Sequence, residues 1–280
     1  PLGVQLVSPP DMAPRSMGSL STLRLRQSIQ DAPWMGGAAW ISLGNGLFQV
    51  LSVLAGIIVA RVLGAEKFGI YAFMLTASVM LTSVSGASLG LTGTRFLGAY
   101  LAGDPGLAWS VVRSANLAAA ALALVLAGSF ALASPLLARL LPTGTLQPAL
   151  LFVVTSPLIA LSIMLTVSIG NLTGLSKFRA IGVLQFGRGL LTVLTVVPGM
   201  LLAGVHGAIA SLALTTGLTW LAAHYIFRRC LPAIGHPTAA SSVAGSERRA
   251  LLHFALPSAM SGLTILPATW LIQALLLRSR

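Results

Sequence analysis

The stretch Ala60-Arg61-Val62-Leu63-Gly64-Ala65-Glu66-Lys67-Phe68-Gly69-Ile70-Tyr71 decides how this chain folds. It sets Arg61, Glu66 and Lys67 between two long apolar runs, and no other charge occurs between Asp31 and Arg95. A helix needs roughly 20 apolar residues to cross the hydrocarbon core of a bilayer. The pattern therefore predicts two membrane-crossing helices joined by a tight polar hairpin, with Gly64 and Gly69 permitting the reversal.

The rest of the chain repeats that design. Of its 280 residues 56% are apolar and 8% charged, with a mean hydropathy of +0.91. Soluble domains carry about 25% charged residues, so this chain cannot cover its own surface in water. The fold class is all-α, a polytopic membrane helix bundle with about seven transmembrane helices. Spans are expected at about 34–60, 70–97, 113–134, 148–170, 180–203, 207–227 and 251–277. Loops are expected at Gly98–Trp109, Pro135–Gln147 and Asn171–Arg179, with a tight turn near Gly204. Residues 1–32 read as a polar tail and 231–250 as a polar linker.

The net charge of +12 would suggest nucleic acid in a soluble protein. Here the basic residues cluster at the ends of the apolar runs, which points instead to insertion topology and anionic membrane lipid. One side receives Arg15, Arg24, Arg26, Arg95, Arg113, Lys177, Arg179, Arg228, Arg229, Arg248 and Arg249. The other receives Arg61, Lys67, Arg139, Arg278 and Arg280. Positive charge stays on the cytoplasmic side, so the N-terminus is expected there and the Arg61–Gly69 turn outside. Asn171-Leu172-Thr173 matches a glycosylation acceptor, but this topology leaves it silent. Cys230 is the only cysteine, so no disulfide forms within the chain.

The five acids, Asp11, Asp31, Glu66, Asp104 and Glu247, all lie in the tail, in loops or at span edges. No paired carboxylates are set to hold a metal and a pyrophosphate, and no Cys/His cluster has metal spacing. An enzyme is not expected, nor a metal site or a cofactor. Positive and neutral polar groups remain as candidates for a cavity lining: Arg188, Gln185, Asn45, Gln49 and Arg95. Asn45 and Gln49 share a helix face, as do Gln185 and Arg188. If its span begins near Ala180, Arg188 lies deep and must face the bundle interior. If the span begins near Gly189, Arg188 is an end anchor. Pro257 and Pro267 mark the seventh span as a hinge candidate, and Pro157 and Pro198 interrupt the fourth and fifth.

Gly44-Asn45-Gly46, Gln49, the 60–71 stretch, Gly86, Gly90 and Thr94-Arg95-Phe96 together resemble the start of polysaccharide-biosynthesis flippases. These are the O-antigen-type members of the multidrug/oligosaccharidyl-lipid/polysaccharide exporter superfamily. Gly174-Leu175-Ser176-Lys177-Phe178-Arg179 resembles their loop between fourth and fifth spans. Phe254-Ala255-Leu256-Pro257-Ser258 resembles the opening of their second bundle. The resemblance implies two facing bundles around a cavity that opens alternately to either side of the bacterial inner membrane. It also implies a polyprenyl-pyrophosphate-linked oligosaccharide as substrate, with a polysaccharide polymerase and glycosyltransferases as partners. On this reading residues 33–230 are a first six-helix lobe and 251–280 begin an incomplete second, so the chain reads as a fragment. The alternatives are a multidrug or cation antiporter of the same superfamily and a non-transporting, truncated assembly partner.

Overall fold

The computed structural model describes residues 33–100, 105–140 and 148–230. The linker, the seventh span and the hinge candidates Pro257 and Pro267 lie outside the described residues. By contacts the chain divides after Gly36, and the described part of the first unit is only the turn Pro33–Gly36. Everything below concerns the second unit.

Five α-helices occur, α1 (Pro33–Tyr100), α2 (Pro105–Leu132), α3 (Ser134–Leu137), α4 (Pro148–Gly174) and α5 (Phe178–Cys230), with a 3₁₀ turn at Ala138–Leu140. Four are long and apolar enough to cross a membrane, against the seven separate helices expected. The difference lies in how α1 and α5 are built. At 1.5 Å per residue α1 would run about 100 Å if straight. It breaks at Gly64, whose φ of 76° and ψ of 170° are non-helical. The second break falls at Ala203 and Gly204, the latter with φ 57°. Each break is a reversal. Trp40 packs on Gly182 and Leu97 on Gly174, so residues 57 apart along α1 meet the same short turn. Thr195 and Thr215 of α5 are joined hydroxyl to hydroxyl at 2.8 Å.

The described chain therefore makes six membrane-length segments: α1a (33–63), α1b (65–100), α2, α4, α5a (178–202) and α5b (205–230). The core confirms the alternation. One apolar cluster gathers Val59, Tyr71, Phe130, Phe152, Met200 and Ile209, and a second gathers Leu97, Val112, Leu172, Ile181 and Phe227, with Ile41 packed against it. Each segment has one end in each cluster, so successive segments run in opposite directions. Arg113, Lys177, Arg179, Arg228 and Arg229 fall at the second cluster's end, and Arg61, Lys67 and Arg139 at the first's, which reproduces the charge asymmetry read from the sequence.

Several expected loop boundaries move. Helix continues through Gly98–Tyr100 and resumes at Pro105 and again at Ser134, both earlier than expected. Proline at the first turn of a helix costs nothing, since that N–H would be unpaired anyway. Of the two hairpin glycines only Gly64 takes a positive φ, and Gly69 is helical. Pro157 sits inside α4 without ending it. It frees the carbonyl of Val153, and Ser156 Oγ donates to that oxygen at 2.8 Å. A hydroxyl thus takes up the bond that lipid could not supply. After α4 the chain turns through Ser176 (φ 55°), with Lys177 N–H donating to Leu172 O at 3.0 Å and Ser176 N–H to Thr173 O at 2.9 Å. Those two bonds are a Schellman cap with serine at the left-handed position.

Three seams bring backbones into direct contact. Gly44 of α1a meets Gly182 of α5a, Gly90 of α1b meets Gly170 of α4, and Gly199 meets Gly207 across the second hairpin. A Cβ added at Gly170 would land on the carbonyl of Gly90, whereas one added at Gly46 would have nothing within 4 Å. Overpacking of this kind costs roughly 1–3 kcal/mol. We expect Gly170→Val to lower the thermal unfolding midpoint in detergent sharply, and Gly46→Ala to leave it unchanged. Equal effects from the two would mean that the seam is not close-packed in solution.

Candidate functional site

α1a and α5a run side by side in the same direction. Gly37 abuts Phe178, Trp40 and Gly44 meet Gly182, and Phe48 and Leu51 meet Gly189. Small residues on one helix let the other come this close, and polar groups can then reach across. Gln185 Nε2 donates to Asn45 Oδ1 at 2.8 Å, while Gln185 Oε1 is buried with no partner among the described residues. One turn further on, the Arg188 guanidinium lies over the ring of Phe48, 4.9 Å from its centroid. At the segment's start Arg179 lies 5.3 Å from the ring centroid of Trp40. Both contacts use the attraction between a cation and an aromatic face.

Arg188 is the centre of this arrangement. α5 begins at Phe178, so Arg188 stands ten residues inside it, about 15 Å along the axis. It is half-buried and lines two spaces. The inner one, about 300 Å³, is walled by Ser78, Thr82 and Ser83 of α1b, Ser162 and Thr166 of α4, and Val79, Leu165 and Ile169. The other, about 630 Å³, is a groove between α5a and α5b.

The inner pocket has a defined hydrogen-bonding character. Ser78 Oγ donates to Leu75 O at 2.8 Å, Thr82 Oγ1 to Ser78 O at 2.7 Å, Ser83 Oγ to Met80 O at 2.9 Å, and Thr166 Oγ1 to Ser162 O at 2.8 Å. These protons are committed to the helices' own carbonyls, which leaves the hydroxyl oxygens as acceptors. The guanidinium supplies donors only. A ligand suited to this pocket offers an anionic acceptor to Arg188 and hydroxyl donors to the serines and threonines.

The sequence candidates are distributed unevenly around this pocket. Arg188 lines it. Asn45 and Gln185 are joined to each other one turn away, and neither borders either space. Gln49 is exposed and also borders neither. The side chain of Arg95 lies outside the described residues. Sequence reasoning did not single out the hydroxyl lining, although Ser78/Thr82 and Ser162/Thr166 each carry the i, i+4 spacing of a shared helix face. Nor did it find a second amide pair, the buried Asn171 Nδ2 donating to Asn116 Oδ1 at 3.2 Å between α4 and α2.

Residues 35–279 match the model of a family described as polysaccharide biosynthesis protein. The chain belongs to that family. Its fold is shared with solved transporters. A MOP superfamily transporter from Pyrococcus furiosus, whose binding pocket is described as of reverse polarity, superposes with a TM-score of 0.63 at 19% identity, over 83% of this chain and 52% of that one. A multidrug-resistance MATE family transporter in the outward-facing conformation gives 0.62 at 19% identity, over 83% and 52%. A MATE protein in a bent conformation gives 0.61 at 14% identity, over 82% and 53%. The chain thus spans about half the length of the structures it matches. No curated protein matches it.

The Asn45–Gln185 bond ties α1a to α5a beside the candidate pocket. Interhelical polar pairs in lipid are worth about 0.6 kcal/mol on average, while a single truncation also strands its partner. We expect Gln185→Ala and Asn45→Ala each to lower thermal stability and the double variant to fall short of their sum by about 0.5 kcal/mol. Strict additivity in that cycle would show that the two amides do not interact.

Proposed function

We propose that the protein is one lobe of a transporter that moves a lipid-linked oligosaccharide across the bacterial inner membrane for polysaccharide synthesis, and that Arg188 engages the pyrophosphate of that substrate. The observation that carries this reading is the pairing of one guanidinium with a wall of hydroxyl acceptors at membrane depth. A sugar pyrophosphate presents the complement, anionic oxygens beside hydroxyl donors. Arginine suits the phosphate because its fork of N–H groups meets two oxygens at once. Family membership supports a role in polysaccharide synthesis, and the shared fold supports transport. With the basic ends of the segments on the cytoplasmic side, substrate would enter from the leaflet in which it is assembled. A polymerase and glycosyltransferases would then be its working partners.

Transport of an organic cation against H⁺ or Na⁺ calls for an acid inside the membrane. Among the described residues the only acid is Glu66, exposed at the Gly64 hairpin. The charge at depth is therefore of the sign that suits an anion.

The test is complementation in cells lacking the native gene. Arg188→Ala in the intact gene product is expected to lower surface polysaccharide at least tenfold while protein level in the membrane is unchanged. Arg188→Lys, which keeps the charge but not the fork, should restore part of it. Full export by Arg188→Ala would remove Arg188 from the site and with it the argument for an anionic substrate here.

A further inference from the structure

The groove between α5a and α5b takes no part in the hydroxyl-lined pocket, and its composition changes along its length. One end is the turn Ser176-Lys177, with Phe178 and Arg179; beyond it the walls are Val183, Leu184 and Leu191 of α5a and Leu218, Ala222 and Ile226 of α5b. Lys177 and Arg179 are exposed, and Arg179 is braced on Trp40. At about 630 Å³ the groove has the size of a small-ligand site. Lys177 to Leu191 is fourteen residues, about 21 Å of helix. One leaflet contributes about 15 Å of hydrocarbon. The groove therefore runs from the headgroup level of one leaflet to about the midplane, with its two exposed cations at the headgroup end.

We propose that this groove is a binding site for an anionic phospholipid of the cytoplasmic leaflet. The phosphate sits between Lys177 and Arg179, and one acyl chain lies along Val183, Leu191, Leu218 and Ala222. Charge complementarity selects the occupant. A phosphodiester with net negative charge satisfies both cations, whereas a zwitterionic lipid brings its own ammonium to the same place. Depth selects it too, because the apolar part of the groove ends near the midplane and accommodates a chain of one leaflet. Arg188 closes the inner end and stays engaged on Phe48. The site needs the chain to cross the membrane with Lys177 at the cytoplasmic face. It does not depend on the oligosaccharide reading.

The test places a fluorophore on Ala222→Cys in a Cys230→Ser background. Quenching by brominated phosphatidylglycerol is compared with quenching by brominated phosphatidylcholine in vesicles. A control label at Leu117→Cys, an exposed position at comparable depth on α2, reports bulk lipid. About 1 kcal/mol per basic residue near an anionic surface predicts an anionic preference of about tenfold at Ala222 and close to one at Leu117. Lys177→Gln with Arg179→Gln should abolish the preference without altering the melting midpoint, since both side chains are exposed. Equal quenching by the two lipids, or a preference that survives the double substitution, would overturn the proposal. So would relief of quenching by trace polyprenyl phosphate but not by phosphatidylglycerol, which would assign the groove to an isoprenoid carrier. Export measured on Arg188→Ala is independent of this readout, so either proposal can fail alone.

Discussion

Backbone contact at three glycine pairs is the constraint on which the rest of this bundle depends. In lipid, apolar side chains gain little by leaving one hydrocarbon for another, so helix association rests on close packing and on polar groups reaching across. Each seam has both. Gly44 against Gly182 is accompanied by Asn45–Gln185, and Gly199 against Gly207 by Thr195–Thr215 one turn away. Gly90 against Gly170 is accompanied by Thr94 Oγ1, which donates to Gly170 O at 3.1 Å. The glycines bring the helix axes close enough for short polar side chains to meet, and those side chains set the register. Leu124 and Leu202 point the other way, 74% and 87% exposed, as lipid-facing residues should.

Much of the fold was legible because a bilayer leaves so few choices. Apolar length and charge placement were enough to locate six segments and their alternation, and the Arg61–Tyr71 turn marked the first reversal. What composition could not reveal was which glycine would carry each reversal. Gly64 and Gly69 look alike in sequence, yet only Gly64 leaves the helical region. The difference arises because Phe68, Ile70 and Tyr71 already belong to the core on the second segment, so α1b is wound by Gly69. The loops were drawn too long for a related reason. Gly98, Pro105 and Pro135 read as breakers, but a glycine near a helix end and a proline in a first turn both fit the helix.

The site was legible only in part. Arg188 stood out because a cation within an apolar run needs an explanation wherever it falls, and helix initiation at Phe178 carries it ten residues deep. Its surroundings are contributed by α1b and α4, which lie far away in sequence, so no local pattern near residue 188 announces them. Asn45 and Gln49 share a helix face as expected, but only Asn45 reaches a partner. Gly182 admits α1a at that level, and Gln49 lies on the exposed side.

The same arginine illustrates how a membrane interior can hold a charge without a counter-ion. An unpaired cation at depth is costly and is tolerated where it borders a polar cavity or partners. Arg188 has Phe48 beneath its guanidinium and serine and threonine oxygens around the space it faces. Both are weaker than a carboxylate. A carboxylate would neutralise the charge permanently and leave nothing for a ligand to bind. Aromatic face and hydroxyl oxygen solvate the cation only partly, so that an entering phosphate still gains by meeting it and can leave again. A site that must both take up and release an anion in every cycle requires that incomplete compensation. The hydroxyls achieve it by spending their protons on the helix backbone and turning only lone pairs toward the pocket.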